Sequence, residues 1–218
     1  MDPVLHYHVQ RFTGFVAMNL TTVITIPTLS DLVPAMSVFG WIIIQQRLGY
    51  TFDWNLPWGN YRAGFGSTDA DYWLGLERMH LLTSSQPYRL RVEVQERSAN
   101  LWYSAEYWSF KIGDELNDKY RLEVSGYSGD AGDSFQFEGS KYSYSGDGNY
   151  YQNGMKFTTY DQDNDLHPTA NCAASNEGGF WFKRCHMGCL TCKKDRFDWY
   201  TLSTSGHIAN SRMLIKPQ

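Results

Sequence analysis

The stretch Thr159–Asp165 reads TYDQDND and places three aspartates at every second position. Such alternation sets carboxylates on one side of a loop, and clustered hard oxygens suit Ca²⁺, which takes about 6–8 oxygen ligands. An EF-hand does not fit, because Leu166 occupies the position of its glycine and Cys172 that of its final glutamate. The stretch therefore predicts either a different calcium loop or a solvated acidic turn.

Other motifs precede and follow this stretch in a regular order along most of the chain. They are Gly40–Trp41, Phe52–Trp54, Tyr72–Leu76, Tyr88–Val92, Tyr120–Leu122, Ser125–Gly129, Asn153–Asp165, Asn171–Ala174, Gly179–Phe182, Cys185–His186 and Met213–Pro217. In this order the motifs resemble the fibrinogen C-terminal domain family, whose members include ficolins, tachylectins, angiopoietins, tenascins and the fibrinogen chains. The resemblance runs from about Gly40 to Cys185 and resumes near Trp199.

This resemblance implies an α+β fold with a twisted antiparallel central sheet, short flanking helices and a loop-rich, calcium-binding C-terminal subdomain. Residues 40–218 would form the domain, with the central sheet at about 40–140 and the calcium and ligand subdomain at about 141–218. Residues 1–39 do not follow the family pattern, and no cysteine precedes Cys172. We therefore expect a divergent or truncated N-terminal segment there.

The residue pattern itself predicts strands and short helices. Tyr88–Gln95 alternates apolar and polar residues with the period of a strand that has one buried face. Further strands are predicted at Trp41–Gln46, Leu101–Tyr107 and Tyr120–Val124, helices at Leu56–Arg62 and Gly75–Leu82, and a polar surface loop at 141–153. Neighbouring strands at this spacing favour an antiparallel sheet.

Composition narrows the class of protein. The chain of 218 residues has a length typical of one domain, and its net charge of −4 gives no basic field for nucleic acid. The longest apolar run, Trp41–Ile44, is far shorter than the ~18–20 residues of a membrane span. Met1–Gln10 lacks Lys and Arg, so a signal peptide is not evident. Four cysteines fit a lightly cross-linked extracellular protein or an intracellular one with free thiols.

The resemblance also implies a set of calcium ligands. The family's calcium carboxylates fall on Asp163 and Asp165, and its backbone carbonyl ligands fall near His167 and Thr169. Asp161 would support the loop without binding the ion. Ca²⁺ is therefore the cofactor that we expect.

A disulfide and a ligand pocket are implied beside this loop. The family's spacing pairs Cys172 with Cys185, and in relatives the peptide bond before the second cysteine, here Arg184–Cys185, is cis. In lectin-like members this pocket takes the acetyl group of N-acetylated sugars. The implied ligand residues are His186, Trp181 and the backbone of Arg184 and Cys185.

The segment after His186 departs from the family, because Met187–Asp198 leads to Trp199 with roughly fifteen residues absent. It carries a CxxC pair, Cys189 and Cys192, which is compatible with a local disulfide, free thiols, interchain pairing or a zinc site. A redox role would need a βαβ setting that does not precede it. The basic stretch Lys193–Arg196 is either solvated or a contact for an acidic glycan.

Two functions follow from these features. The first is a secreted, non-enzymatic recognition domain that binds N-acetylated glycans or other acetylated groups with calcium support, as in innate recognition. The alternative is an extracellular matrix or signalling module whose partner is a protein receptor, which the shortened pocket favours. Either is compatible with a homo-oligomer. No Gly-x-Ser-x-Gly, His-Glu-x-x-His or P-loop motif is present, so we do not expect an enzyme.

Overall fold

A computed structural model describes most of the chain. The described residues are 21–24 and 33–38, for their backbone only, and 40–49, 51–136, 150–202 and 207–218. The sequence prediction of a surface loop at 141–153 lies largely outside them.

Eleven strands are found in the described residues, and nine of them join one sheet. The strands are β1 (Thr21–Ile24), β2 (Val33–Val38), β3 (Trp41–Arg47), β4 (Phe65–Gly66), β5 (Tyr72–Trp73), β6 (Tyr88–Glu96), β7 (Trp102–Ile112), β8 (Leu122–Gly129), β9 (Gly188–Cys189), β10 (Asp198–Trp199) and β11 (Ile208–Pro217). The order across the sheet is β1-β2-β3-β11-β6-β7-β8, with β5 beside β3 and β4 beside β5, while β9 and β10 form a separate pair. All pairings are antiparallel.

The centre of the sheet is built from the two ends of the chain. Strand β11, from the last residues, lies between β3 and β6, and its Met213 is opposite Val92. The alternating pattern of β6 is confirmed, because Tyr88, Leu90, Val92 and Val94 are buried while the residues between them are partly exposed. The predicted α+β class with an antiparallel central sheet is therefore confirmed. The proposed subdomain boundaries stay predictions.

Four short helices accompany the sheet: α1 (Trp58–Ala63), α2 (Leu76–Ser85), α3 (Glu115–Asp118) and α4 (Cys172–Asn176). Pro57 lies at the N-cap of α1 rather than inside its first turn, and Gly64 ends this helix with a φ of 97°. The extended backbone of Pro57 suits a cap, which has non-helical dihedral angles. Among the described helices none is long and apolar enough to cross a membrane.

Strand lengths differ from the sequence prediction at β7 and β8. Strand β7 continues five residues beyond the predicted end at Tyr107, because Phe110 and Ile112 continue its buried face. Strand β8 begins at Leu122 rather than at Tyr120, because Tyr120 has a φ of 54°, outside the extended region. Residues 1–39 contribute β1 and β2, and β2 pairs with β3, so part of that segment extends the sheet.

An aromatic core joins the sheet to the C-terminal loops. Phe157 packs against Tyr61 and Trp181, with 5.1 Å between ring centroids in each pair, and against Trp73 at 5.8 Å. All four rings are fully buried. Because Phe157 comes shortly before the acidic stretch 159–165, this packing anchors the start of that stretch to the core.

Candidate calcium and ligand site

The acidic stretch is a structured loop. Thr158 forms a bridge with Phe180, and Thr159 pairs with Gln162 across a tight turn. One carboxylate oxygen of Asp161, Oδ1, accepts hydrogen bonds from the backbone amide of Trp58 at 2.9 Å and from the hydroxyl of Thr159 at 2.7 Å. These bonds tie the loop to the start of α1, and the supporting role of Asp161 in a calcium site stays a prediction.

The next two aspartates lie close together. Asp163 Oδ1 accepts the backbone amide of Asp165 at 3.2 Å. The two carboxylate oxygens of Asp165 accept the backbone amides of His167 and Cys172, each at 2.7 Å. Burial raises the pKa of Asp165, the neighbouring charge of Asp163 adds to the rise, and the two amide bonds oppose it. A cation beside the two carboxylates would favour the charged form of Asp165 and oppose this rise.

The remaining predicted ligands shape a turn. His167 Nδ1 accepts the backbone amides of Thr169 at 3.3 Å and Ala170 at 3.1 Å. The imidazole is thus occupied within the loop, which agrees with a role for the backbone carbonyl of His167 rather than its ring.

The donor set fits calcium better than a transition metal. The described part of the chain contains no group of three or more His, Cys, Asp or Glu side chains that could hold a metal ion. A site here would combine two carboxylates with carbonyl and water oxygens, a hard-oxygen set of the kind that Ca²⁺ accepts. The residues present fit the ion, with Asp163 and Asp165 as its charged ligands.

Two disulfides cross-link the C-terminal loops. Cys172 is bonded to Cys185, and Cys189 to Cys192, with Cα–Cα distances of 5.2 and 5.5 Å. The expected Cys172–Cys185 disulfide is confirmed, and of the alternatives left open for Cys189 and Cys192 the structure contains the local disulfide. Because all four sulfurs are in disulfides, the zinc and free-thiol alternatives for the CxxC pair are excluded.

The peptide bond between Arg184 and Cys185 is not cis, so that expectation is wrong. Cys185 instead has a φ of 68°, in the left-handed region, and its carbonyl oxygen accepts the amide of Lys183 at 3.0 Å. This left-handed residue turns the chain tightly beside the disulfide. Arg184 is exposed at the turn.

Trp181, which was expected to line the ligand pocket, lies in the core. Its side chain is fully buried, and its indole N–H donates to the carbonyl oxygen of Tyr120 at 2.8 Å. A satisfied, fully buried indole presents no surface to a ligand. The prediction of Trp181 as a pocket residue is therefore corrected.

His186 lies in a buried polar cluster that the sequence analysis did not identify. Its ring contacts Phe182 and Tyr200, and its Nε2 lies 3.7 Å from Oδ2 of Asp198, too far for a hydrogen bond. Neither ring nitrogen of His186 has a hydrogen-bond partner, and Oδ2 of Asp198 has none. The other oxygen of Asp198 bonds to Nδ1 of His207 at 2.6 Å.

The cluster shifts the pKa values of Asp198 and Tyr200. Burial by itself would raise the pKa of Asp198, but the imidazoles of His186 and His207 outweigh it and hold the pKa below its usual value. Burial, together with the Asp198 charge, raises the pKa of Tyr200 to about 12. Asp198 is therefore a carboxylate at neutral pH. The only sequence signal for the proximity of His186 and Asp198 is their short separation across the shortened segment.

The fold and the loop geometry define a globular recognition module of the fibrinogen type. A family model described as the C-terminal globular domain of fibrinogen beta and gamma chains matches residues 35–217, and the chain belongs to this family. The structure is similar to the fibrinogen-like globe domain of human ANGPTL2, with a TM-score of 0.77, 29% identity and coverage of 90% of this chain and 91% of that one. It is also similar to lamprey fibrin D-dimer complexed with the peptide Gly-His-Arg-Pro-amide, with a TM-score of 0.75, 31% identity and coverage of 85% and 64%.

The chain is also similar in sequence to three curated proteins. Chicken tenascin is 41% identical over 67% of this chain, and human microfibril-associated glycoprotein 4 is 39% identical over 69%. Protein scabrous of Drosophila melanogaster is 36% identical over 81%. The chain spans 7%, 54% and 20% of these relatives, respectively.

Proposed function

We propose that this chain is an extracellular, non-enzymatic recognition domain that binds a protein partner at a surface ordered by calcium. The observation that carries the proposal is the exposure of two apolar side chains beside the calcium carboxylates. Tyr160 is 44% exposed and Leu166 is 55% exposed, and they flank Asp161–Asp165. Exposed aromatic and aliphatic side chains at a structured loop are typical of protein contacts.

Other features support this proposal. Two disulfides suit an oxidising, extracellular environment. Burial of Trp181 removes surface that an acetyl-binding pocket would use. The lamprey fibrin D-dimer, a relative by structure, is complexed with a peptide ligand.

Calcium would bind through Asp163 and Asp165, with carbonyl oxygens near His167 and Thr169, and would hold the loop between Tyr160 and Leu166 in one conformation. A ligand that binds only the folded state raises the melting temperature by mass action. We expect wild type to melt higher in calcium than in chelator, and Asp163→Ala to lose this difference. Asp195→Ala, which removes an exposed carboxylate elsewhere, should keep it. Identical melting of wild type in calcium and chelator would show that no calcium site exists.

The partner class is tested by binding to two panels, purified extracellular protein domains and immobilised N-acetylated glycans, each with calcium and with chelator. We expect calcium-dependent binding to a protein that is lost in Tyr160→Ser/Leu166→Ser. Leu101→Ser is the control, since Leu101 is 45% exposed away from this loop in the sequence. Calcium-dependent binding to glycans alone would contradict the protein-partner proposal.

A second candidate is binding of an acetylated sugar beside Cys185. It is favoured by the unpartnered ring nitrogens of His186, because a buried polar atom without a hydrogen bond is costly and a ligand could supply the partner. Affinity for one sugar would be weak, so clustered copies would be needed for avidity. Loss of glycan binding in clustered His186→Ala, with wild type binding, would support this candidate.

A further inference from the structure

A cleft lies between the loop after β3 and the segment that carries the second disulfide. Its volume is about 240 Å³. One wall consists of Arg47 and Thr51–Trp54, and the other of Glu177 and Cys192–Lys194. None of these residues belongs to the calcium loop, so this site does not rest on the proposed function.

Both walls are held in place by bonds to the backbone. The guanidinium of Arg47 donates to the carbonyl oxygens of Cys192 and, at 3.1 Å, Gly49, and lies 4.2 Å from the ring centroid of Phe197. The amide of Lys193 donates to the carbonyl oxygen of Asn176 at 2.9 Å. The Cys189–Cys192 disulfide closes the same segment. Because these bonds exist without a ligand, binding would require little ordering of the walls.

The cleft is basic although the chain is acidic overall. Three basic and two acidic side chains line it, which leaves one positive charge, against a net charge of −4 for the whole chain. Glu177 already accepts the ammonium of Lys193 at 2.8 Å, and Asp53 accepts the amide of Asn55 at 2.9 Å. Lys193 balances Glu177, so the excess positive charge comes from Arg47 and Lys194 against Asp53. A concave basic surface concentrates anions from solution.

An aromatic ring completes the site. Phe52 is half-buried, with its ring stacked on Phe65 at 5.5 Å and edge-on to Trp54 at 5.6 Å. Sugars present C–H faces to such rings, while lysine and arginine bind sulfate or carboxylate groups. The volume is below the about 300–1,000 Å³ typical of pockets for drug-sized ligands, so it suits one sugar unit of a longer chain.

We infer that this cleft binds one sulfated or uronic-acid unit of an acidic polysaccharide, with Lys193 and Lys194 facing the acidic group and Phe52 the sugar ring. Charge contacts of this kind weaken with salt, because ions screen them. Binding should not need calcium, since the cleft shares no residue with the calcium loop. The site would attach the domain to an acidic glycan independently of its protein partner.

The test measures binding of a heparin-derived octasaccharide to the full chain at low and physiological salt, in calcium and in chelator. We expect Lys194→Glu to weaken binding about tenfold or more and Lys111→Glu by less than about twofold, because only local charge contributes strongly to a close contact. Lys111 is exposed on β7 and gives the same change in net charge. Thr51→Trp, which fills the rim without changing charge, should also block binding.

Each other outcome overturns the inference. Equal weakening by the two charge reversals would show diffuse attraction without a site. Full binding by Thr51→Trp would place the glycan elsewhere, and loss in chelator would place it at the calcium loop. If a poly-glutamate peptide competes as strongly as the octasaccharide, the cleft recognises negative charge alone and not the sugar. Absence of binding by wild type would exclude the site, while the calcium-dependent melting would still test the proposed function separately.

Discussion

Asp165 accepts a hydrogen bond of 2.7 Å from the backbone amide of Cys172, so the acidic loop is joined directly to the first half of a disulfide. The disulfide continues to Cys185, and the next residue, His186, faces Asp198. Asp165 and the buried polar cluster are thus linked by one hydrogen bond and one disulfide bond. Removal of the disulfide should therefore affect both the acidic loop and the cluster around Asp198.

Removal of this disulfide should lower stability substantially. A cross-link between residues 13 apart restricts the unfolded chain, and Cys172→Ala/Cys185→Ala should lose about 3 kcal/mol of unfolding free energy. The Cys189–Cys192 disulfide closes a loop with a sequence separation of only 3. Cys189→Ala/Cys192→Ala should therefore lose less unfolding free energy. Denaturant unfolding of both variants measures the difference. A larger loss in the second variant would show that packing, rather than loop closure, dominates.

The Asp198 cluster should give the domain a specific acid sensitivity. Because the folded-state pKa of Asp198 lies below its ordinary value, the unfolded state binds the proton more tightly. The stabilisation that Asp198 contributes is therefore complete above its unfolded-state pKa of about 3.9. It is lost as the pH falls through its lower folded-state pKa. Asp198→Asn should be less stable than wild type at pH 7, with a difference that shrinks in acid.

Denaturant unfolding at several pH values between neutral and strongly acidic measures that difference. Asp195→Asn, at an exposed carboxylate three residues away in sequence, is the control, and its stability should change with pH as that of wild type does. A constant gap between Asp198→Asn and wild type across the whole range would refute the assignment.

The sequence predicted the antiparallel sheet and the Cys172–Cys185 disulfide, and it left the pairing of Cys189 and Cys192 open. Strand β6 was predictable because period-2 alternation is a local signal that burial on one face enforces. The position of β11 between β3 and β6 is a long-range pairing with no local signal, so the sequence did not predict it. The start of β8 differs from the sequence prediction because Tyr120 adopts a positive φ.

Trp181 and His186 show why the site was harder to predict than the fold. A tryptophan near a cysteine pair has the same sequence signal whether it faces a ligand or the core. Its burial is decided by Phe157 and Tyr120, which are distant in sequence. Likewise His186 lies beside Asp198, which belongs to the segment where the chain departs from its family. No family motif could therefore predict this contact.

Gly66 should not tolerate a side chain. It has a φ of 85°, and a Cβ there would overlap the carbonyl oxygen of Asp71, which accepts the amide of Ser67 at 3.0 Å. Gly154 has a similar φ of 80° but open space around its Cα, so Gly154→Ala isolates the backbone strain of about 1–2 kcal/mol. Gly66→Ala should cost about 1–3 kcal/mol more because of the overlap. Equal losses in the two variants, measured by denaturant unfolding, would contradict the close approach.

The unfolding free energy of Trp181→Ala separates a core role of Trp181 from a ligand role. Trp181→Ala removes a fully buried ring and its hydrogen bond to Tyr120, and a large-to-small change in a core typically costs about 3–5 kcal/mol. Trp108→Ala is the matched control, since Trp108 is 58% exposed and loses chiefly its contact with Arg89, about 1 kcal/mol or less. A Trp181→Ala protein with wild-type unfolding free energy but altered ligand binding would return Trp181 to the binding surface. A large loss of stability would place it in the core that holds the calcium loop.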